Sequence, residues 1–188
     1  MTKLKTRISL AVCALALCLT ATMAQAASAH TKTVPVDTTF VGQSKLDRVD
    51  CTTHIGVCEL YFSGVANYPG GDVRGADTIA LHGHLVPTRG FVFISHTKSS
   101  TSIRGCGTGT FRYVAYGTID QLAPFGALSP PINPLKAGLG VRENFHSVPG
   151  SGTGAFAGGS SRGHATAVTH LDNTLAGRAV GRVTCKAR

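Results

Sequence analysis

Short alternating segments separated by turn residues run along most of the chain, and this pattern narrows the possible folds more than any other feature. The segments are rich in Val, Thr, Phe and Tyr and are bounded by Gly, Pro, Asn or Asp, which is typical of β-strands. They read TVPVDTTFVG, CELYFSGVAN, DTIALHGHLV, GFVFISHT, GTFRYVAYGTI, GVRENFHSV, GTGAFAGG, GHATAVTH and TLAGRAVGRVTC. No convincing helical window separates them. The pattern predicts an all-β fold: a closed or nearly closed antiparallel β-barrel of about eight strands, with a β-sandwich as the alternative.

Two of the connections carry hairpin signals. HLVPTRGFVF predicts a tight turn over residues 87–90, and THLDNTLAG predicts another around Asp172 and Asn173. Both are consistent with strands that are neighbours in sequence and in the sheet.

The N-terminus has the pattern of a secretory signal. Three basic residues precede an uncharged apolar run over 8–19, and Ala24 and Ala26 then form a small-x-small cleavage site. We therefore expect a signal peptide over 1–26 and a secreted, extracellular mature chain, 27–188, that forms a single domain. The apolar run is shorter than the roughly 20 residues that span a bilayer, so we expect no membrane insertion of the mature chain.

The mature chain is cationic. Three of the 18 Lys and Arg residues lie in the predicted signal, which leaves 15 against 9 acidic residues and a net charge of +6. These basic residues are scattered singly, without a basic block or aromatic residues interleaved with them, so we expect no nucleic-acid partner. An attraction to anionic cell-wall polymers is one alternative for its function.

Four cysteines follow the predicted signal: Cys51, Cys58, Cys106 and Cys185. An even number of cysteines in a secreted domain predicts two disulfides, and three connectivities are possible. The segment CTTHIGVC places Cys51 and Cys58 on either side of a short turn, which favours a local bond and leaves Cys106 to pair with Cys185. The spacing of the first pair is wider than that of a zinc knuckle, so we expect no metal at these thiols.

The motif G-x-G-T-G-x-F occurs twice, as GCGTGTF from Gly105 and as GSGTGAF from Gly150. Neither copy has the spacing or the strand–helix context of a nucleotide-binding loop. Glycine tolerates tight turns and strand coiling, and we therefore expect both copies at the start of strands or at corners, with Phe111 and Phe156 buried.

The second copy lies within ENFHSVPGSGTGAFAGGSSRGHATA, from Glu143 to Ala167. This stretch resembles the E-x-F-x-x-x-G-G-T-G-x-F-x-G-A-x-G pattern of secreted bacterial proteins that are similar to allene oxide cyclase and dirigent barrels. The resemblance implies an eight-stranded antiparallel barrel with a hydrophobic cavity. It also implies a possible cyclase or isomerase activity, but it assigns no catalytic residue to this chain, whose Pro149 and Ser151 depart from the pattern.

Candidate catalytic and cavity residues are few. Glu143 alternates with Phe145 on one strand face and is the candidate acid or base, with a charge at the barrel rim as the alternative. Phe145, His82 and His84 are candidates for lining a ligand cavity.

Metal ligands would come from histidines. His82 and His84 lie two residues apart, hence on the same strand face, and His96 shares that face in only one of two hairpin registers. We expect no metal and no cofactor, with these three histidines as the candidate ligands if a metal does bind.

The segment over 119–140 is rich in proline and apolar residues and predicts a long loop, either covering the core or binding a ligand. For the whole chain we expect a non-enzymatic barrel that binds a small apolar or aromatic ligand or acts by protein contact. The alternatives are a cyclase or isomerase acting on a reactive hydrophobic substrate, and a cationic wall-associated protein. A homo-oligomer is possible, since outward-facing phenylalanines would permit association.

Overall fold

The computed structural model describes residues 30–54, 57–86, 90–120, 138–170 and 172–187, with the backbone alone over 52–54 and at 57. The predicted signal peptide, 1–26, and most of the predicted loop, 121–137, lie outside the described residues. Within the described ranges, no helix is long and apolar enough to cross a membrane.

The described residues form eight strands that follow one another around a closed antiparallel barrel, and this confirms the predicted fold class. Each strand pairs with its neighbour in sequence, and β1 pairs with β8 to close the ring. The strands are β1 Thr31–His54, β2 Val57–Tyr68, β3 Val73–Val86, β4 Gly90–Ile103, β5 Gly107–Ile119, β6 Leu139–Ser147, β7 Ser160–Thr169 and β8 Thr174–Lys186.

Strand β1 is longer than its sequence pattern indicates, and its two halves have different neighbours. Residues 31–43 pair with β8, whereas residues 41–54 pair with β2 across two register shifts. Only the short overlap, 41–43, is hydrogen-bonded on both sides. The second half of β1 therefore pairs with β2 alone, while β2 pairs with β3 on its other side.

One end of the barrel is closed by a compact apolar cluster. It lies where β2 connects to β3, β4 to β5 and β6 to β7, and it consists of Val36, Val73, Ile103, Cys106, Phe111, Phe156, Val183 and Cys185. At the opposite end, Leu85 faces inward and is nevertheless 62% exposed. We call these two ends the closed end and the mouth.

The two copies of the glycine motif pack against each other at the closed end. The rings of Phe111 and Phe156 are stacked with their centroids 4.7 Å apart, and both side chains are buried, as predicted. The Thr153 amide donates to the Thr110 carbonyl oxygen at 3.0 Å, and the two threonine hydroxyls lie 2.8 Å apart.

The first copy leads into β5, as expected, but the prediction of a strand for GTGAFAGG is wrong. The second copy forms a turn and a 3-10 helix, Gly154–Phe156, and β7 begins only at Ser160. Gly154 has a φ of +59°, which favours glycine and is incompatible with a strand. This segment folds across the closed end, so that Phe156 enters the core from the end of the barrel.

Inside the barrel, large aromatic rings lie over glycines on neighbouring strands. Phe40 is directly opposite Gly177, Phe93 is opposite Gly117, and Phe145 is opposite Gly163. A Cβ atom on any of these glycines would lie closer than 3.0 Å to the facing ring. The missing side chains therefore leave the space in which the rings lie flat against the wall.

Both predicted disulfides are present. Cys51–Cys58 joins β1 to β2 near the tip of their hairpin, and Cys106–Cys185 ties the β4–β5 turn to the end of β8.

We predict that the long-range disulfide contributes more to stability than the local one. The loop closed by Cys106–Cys185 spans 79 residues and that closed by Cys51–Cys58 spans 7, for which chain entropy gives about 4.5 and 2.5 kcal/mol. Replacing Cys106 and Cys185 together by Ala should therefore lower the free energy of unfolding further than replacing Cys51 and Cys58 together. Urea unfolding of both double variants measures this. An equal loss in the two would contradict it.

A second prediction concerns contact between the two glycine motifs. A Cβ atom at Gly109 would clash with the Thr153 carbonyl oxygen and the Phe156 ring, whereas one at Gly70 would meet nothing within 4 Å. We expect Gly109→Ala to reduce the free energy of unfolding by about 1–3 kcal/mol through overpacking. The control Gly70→Ala should leave the free energy of unfolding nearly unchanged. Similar unfolding midpoints in the two variants would show that the motifs are not tightly packed.

Candidate functional site

The barrel encloses a cavity of about 750 Å³ that reaches from the closed end to the mouth. This volume falls within the range of small-molecule sites in proteins. Its wall is mainly apolar and carries seven aromatic rings: Phe40, Phe62, Phe91, Phe93, Phe145, Tyr68 and Tyr113. The cavity exists because small residues, among them Ala66, Ala165 and Ala179, occupy inward positions between these rings.

Asp77 is a buried carboxylate on this wall. It occupies an inward position of β3, directly opposite Ala66 and Ser99, and is 8% exposed. The Tyr68 hydroxyl donates to its Oδ2 at 2.7 Å. Oδ1 is also buried, and among the described residues no donor meets hydrogen-bond geometry at that atom. Burial raises the pKa of Asp77, and the nearby hydroxyls of Tyr68 and Ser99 oppose this effect without cancelling it.

Glu143 is a second carboxyl group inside the cavity, and Asp120 is a third, exposed at the mouth. Glu143 points inward from β6, between Gly117 of β5 and Ala165 of β7. Its Cβ and the ring of Phe93 both lie over Gly117, so an aromatic ring flanks the stem of this side chain. Burial, and to a smaller extent the negative charge of Asp77, raises the pKa of Glu143 to about 7. This carboxyl group therefore gains and loses its proton near neutral pH.

Two tyrosines also contribute to the polar part of the wall. Burial raises the pKa of the Tyr68 and Tyr113 hydroxyls, so both stay protonated at physiological pH. The Tyr68 pKa is also raised by the charges of Asp77 and Glu143. The two carboxyl groups and the two phenols thus share one electrostatic environment, which combines proton donors and acceptors within an apolar chamber.

The candidate residues on β6 both lie in this cavity. Glu143 and Phe145 line it, and the edge of the Tyr113 ring meets Phe145 with centroids 5.7 Å apart. A catalytic role for Glu143 remains a prediction.

His82 and His84 do not line the cavity, which corrects the sequence-based expectation. The inward positions of β3 are Asp77, Ile79 and Leu81, so alternation places both histidines on the outer face. The ring of His82 stacks on Tyr61 with centroids 5.6 Å apart, and the Arg48 guanidinium covers the same tyrosine ring.

The register of the β3–β4 hairpin places His96 opposite Ala80, on the same outer face as His82 and His84. This is the register in which the three histidines share a face. Even so, within the described ranges no group of three His, Cys, Asp or Glu side chains could hold a metal ion. The binding of a metal to these histidines is therefore a prediction without geometric support.

Asp77 is the main functional candidate that our sequence analysis missed. The segment DTIALHGHLV alternates Asp77, Ile79 and Leu81 on one face, and the apolar members of that set mark the face as inward. The sequence could have identified Asp77 as a site residue, because a carboxyl group on an inward face requires a partner or a function.

Comparison with known proteins gives no identification: no protein-family model matches the chain, and no curated protein matches it significantly.

The raised pKa of Glu143 predicts a pH-dependent stability. A carboxyl group whose pKa rises from 4.5 unfolded to about 7 folded stabilises the protein below pH 4.5, and this contribution is lost as the pH rises through about 7. Relative to Glu143→Gln, the wild-type free energy of unfolding should fall by up to about 3 kcal/mol over this range.

Chemical unfolding at acidic and at slightly alkaline pH, with the disulfides intact, measures this difference. Glu59→Gln, which removes a carboxyl group from the outer face of β2, is the matched control and should follow the wild type. Parallel pH profiles for the wild type and Glu143→Gln would show that Glu143 does not titrate as proposed.

Proposed function

We propose that the protein binds a small, mainly apolar or aromatic molecule inside its barrel. The observation that carries this proposal is the cavity of about 750 Å³, with its aromatic wall and a few convergent polar groups. Protein cores are close-packed, and the free energy of unfolding decreases as the volume left empty increases. An unfilled chamber of this size is therefore better explained by a ligand than by the requirements of folding.

We further propose that the protein acts outside the cytoplasm. Two disulfides are compatible with an extracellular location, because such bonds form and persist in oxidising compartments. The signal-like N-terminus supports the same proposal. Membership of the family of barrels similar to allene oxide cyclase and dirigent proteins is likewise a proposal, supported by the eight-stranded closed barrel and the motif at Gly150.

Two other functional alternatives receive less support. A wall-associated cationic protein would need no cavity, and the barrel has one. The expected outward phenylalanines are not present among the described residues, where Phe40, Phe62, Phe91, Phe93, Phe111, Phe145 and Phe156 all line the cavity or the core. Homo-oligomerisation therefore remains a prediction that rests instead on exposed residues such as Val41, Val65 and Val168.

Native mass spectrometry of protein recovered from the medium of its host tests ligand binding and secretion together. We expect a chain that begins near Ala27, with both disulfides formed and an additional small molecule that dissociates at higher collision energy. An intact Met1 terminus would contradict secretion.

A pair of phenylalanine substitutions on β8 tests where the molecule binds. Ala179 is buried and lines the cavity, whereas Ala176 points to solvent from the same strand. Ala179→Phe should abolish retention of the molecule and uptake of an apolar fluorescent probe, and Ala176→Phe should preserve both. If neither wild type nor Ala176→Phe takes up an apolar probe, cavity binding is wrong.

A second candidate function is proton-transfer catalysis by a cyclase or isomerase, and the position of Glu143 favours it. A carboxyl group with a pKa of about 7 in a water-poor chamber can donate or accept a proton at physiological pH. The cavity would orient a reactive hydrophobic substrate beside it. If the retained molecule is chemically changed by the wild type but not by Glu143→Gln, the protein is an enzyme; unchanged ligand in both supports binding alone.

A further inference from the structure

The cavity holds two carboxyl groups below its mouth, Asp77 and Glu143, and neither has a basic partner among the described residues; a third carboxyl group, Asp120, lies exposed at the mouth. Among the described residues, no ion pair includes Asp77 or Glu143, and we refer to these two side chains as the acidic pair. They project from β3 and β6, with β4 and β5 between them in the barrel. Both side chains line the same cavity, and the charge of Asp77 also raises the pKa of Glu143.

The basic residues that border the cavity do not compensate the acidic pair. His170 lies at the mouth, where β7 ends, and Arg182 is exposed, at a position of β8 whose neighbours Gly181 and Val183 face inward. Neither His170 nor Arg182 is among the groups that shift the pKa of Asp77 or Glu143. The groups that face the pair are instead phenols and hydroxyls: Tyr68, Tyr113, Ser99 and Ser161.

One carboxyl oxygen of the acidic pair, Asp77 Oδ1, lacks a hydrogen-bond partner among the described residues. The Tyr68 hydroxyl donates to Asp77 Oδ2, and the Ser99 hydroxyl lies near the same carboxyl group, but no described donor meets hydrogen-bond geometry at the buried Oδ1. A buried carboxylate oxygen without a donor destabilises the protein, and native structures rarely leave one. A donor on a ligand would satisfy Oδ1, where no described residue has hydrogen-bond geometry.

We propose that the ligand of the cavity is a hydrophobic cation, an amine or ammonium compound whose charged group lies between Asp77 and Glu143. This inference rests on the proposed function and adds the chemical class of the ligand. The ammonium group donates to Asp77 Oδ1 and faces the Glu143 carboxylate, while the apolar part contacts the phenylalanines towards the mouth.

The aromatic wall favours a cation as well. The Phe93 ring lies against the stem of Glu143, and the Tyr113 ring also borders the chamber. Ring faces attract cations, most strongly where water is excluded. A neutral hydroxyl could satisfy Oδ1, but it would leave the charge of the acidic pair uncompensated. An anionic ligand would be repelled by both carboxylates.

Three probes with the same carbon skeleton and different charges test this proposal. They are the cation of naphthylethylamine, the neutral naphthylethanol and the anion of naphthylacetic acid. Binding is measured by fluorescence titration of the disulfide-bonded mature protein at about pH 8, where the amine is charged and Glu143, with a pKa of about 7, is mainly ionised. We expect the amine to bind at least about tenfold more tightly than the alcohol, and the acetate to bind most weakly.

The preference for the amine should depend on the acidic pair. Asp77→Asn and Glu143→Gln should each weaken binding of the amine and leave binding of the alcohol close to that of the wild type, which also shows that the variant is folded. Asp47→Asn removes an exposed carboxylate next to Lys45 and serves as the control for net charge; it should keep the full preference.

The wild-type comparison decides the question even if a variant fails to fold. If the alcohol binds as tightly as the amine, the proposed cation is wrong and the proposed cavity binding stands. If none of the three probes binds, and no apolar probe binds either, both proposals are wrong. An amine preference that survives in both acidic-pair variants would overturn the assignment of the cation to Asp77 and Glu143.

Discussion

The hydrogen bonds between β1 and β8 close the sheet, and every other feature of the molecule depends on that closure. An open eight-stranded sheet would leave two rows of unpaired backbone groups and would expose its apolar face. Here residues 31–43 pair with β8, and the inward side chains of all eight strands surround one enclosed volume. Strand β1 closes the barrel because it is long enough to pair with β8 along its first half and with β2 along its second half.

Closure alone does not create a chamber, since small barrels are commonly filled by their own side chains. In this barrel Phe40, Phe93 and Phe145 lie over glycines of adjacent strands, and alanines occupy other inward positions. The rings consequently line the wall and leave the axis of the barrel empty. The same arrangement keeps Asp77 and Glu143 away from bulk water, which raises the pKa of both carboxyl groups.

Much of this fold could be predicted from the sequence because its strands alternate and their connections carry turn residues. Eight of the nine predicted segments are strands, and the local cysteine spacing led to both disulfide pairs. Alternation also identified Glu143 and Phe145 as residues that share a face. The second glycine motif was predicted wrongly because Gly-Thr-Gly suits a coiled strand as well as a tight turn, and only the stacking of Phe156 on Phe111 distinguishes them.

The candidate site was harder to predict than the fold. Histidines attract a functional interpretation, but the Ile79 and Leu81 side chains determine which face of β3 enters the barrel, and they place His82 outside. The position of His96 depended on a hairpin register that periodicity alone cannot determine. Asp77 alternates with the same two apolar residues, which was a usable sequence signal, but its unpaired oxygen and the environment that it shares with Glu143 are visible only in the structure.

The stacked Phe111 and Phe156 rings also restrict how a molecule could enter and leave the cavity. Because they close one end, a molecule in the chamber has to leave by the route through which it arrived. Asp77 is four positions from Val73 at the closed end and eight from Leu85 at the mouth, so a charged head group bound to it would have to enter first. It would leave the polar residues of the mouth, such as Asp120 and Asn173, and pass the phenylalanine rings before it reached Asp77. Exchange should therefore be slow compared with diffusion, with a barrier set by the head group rather than by the length of the tail.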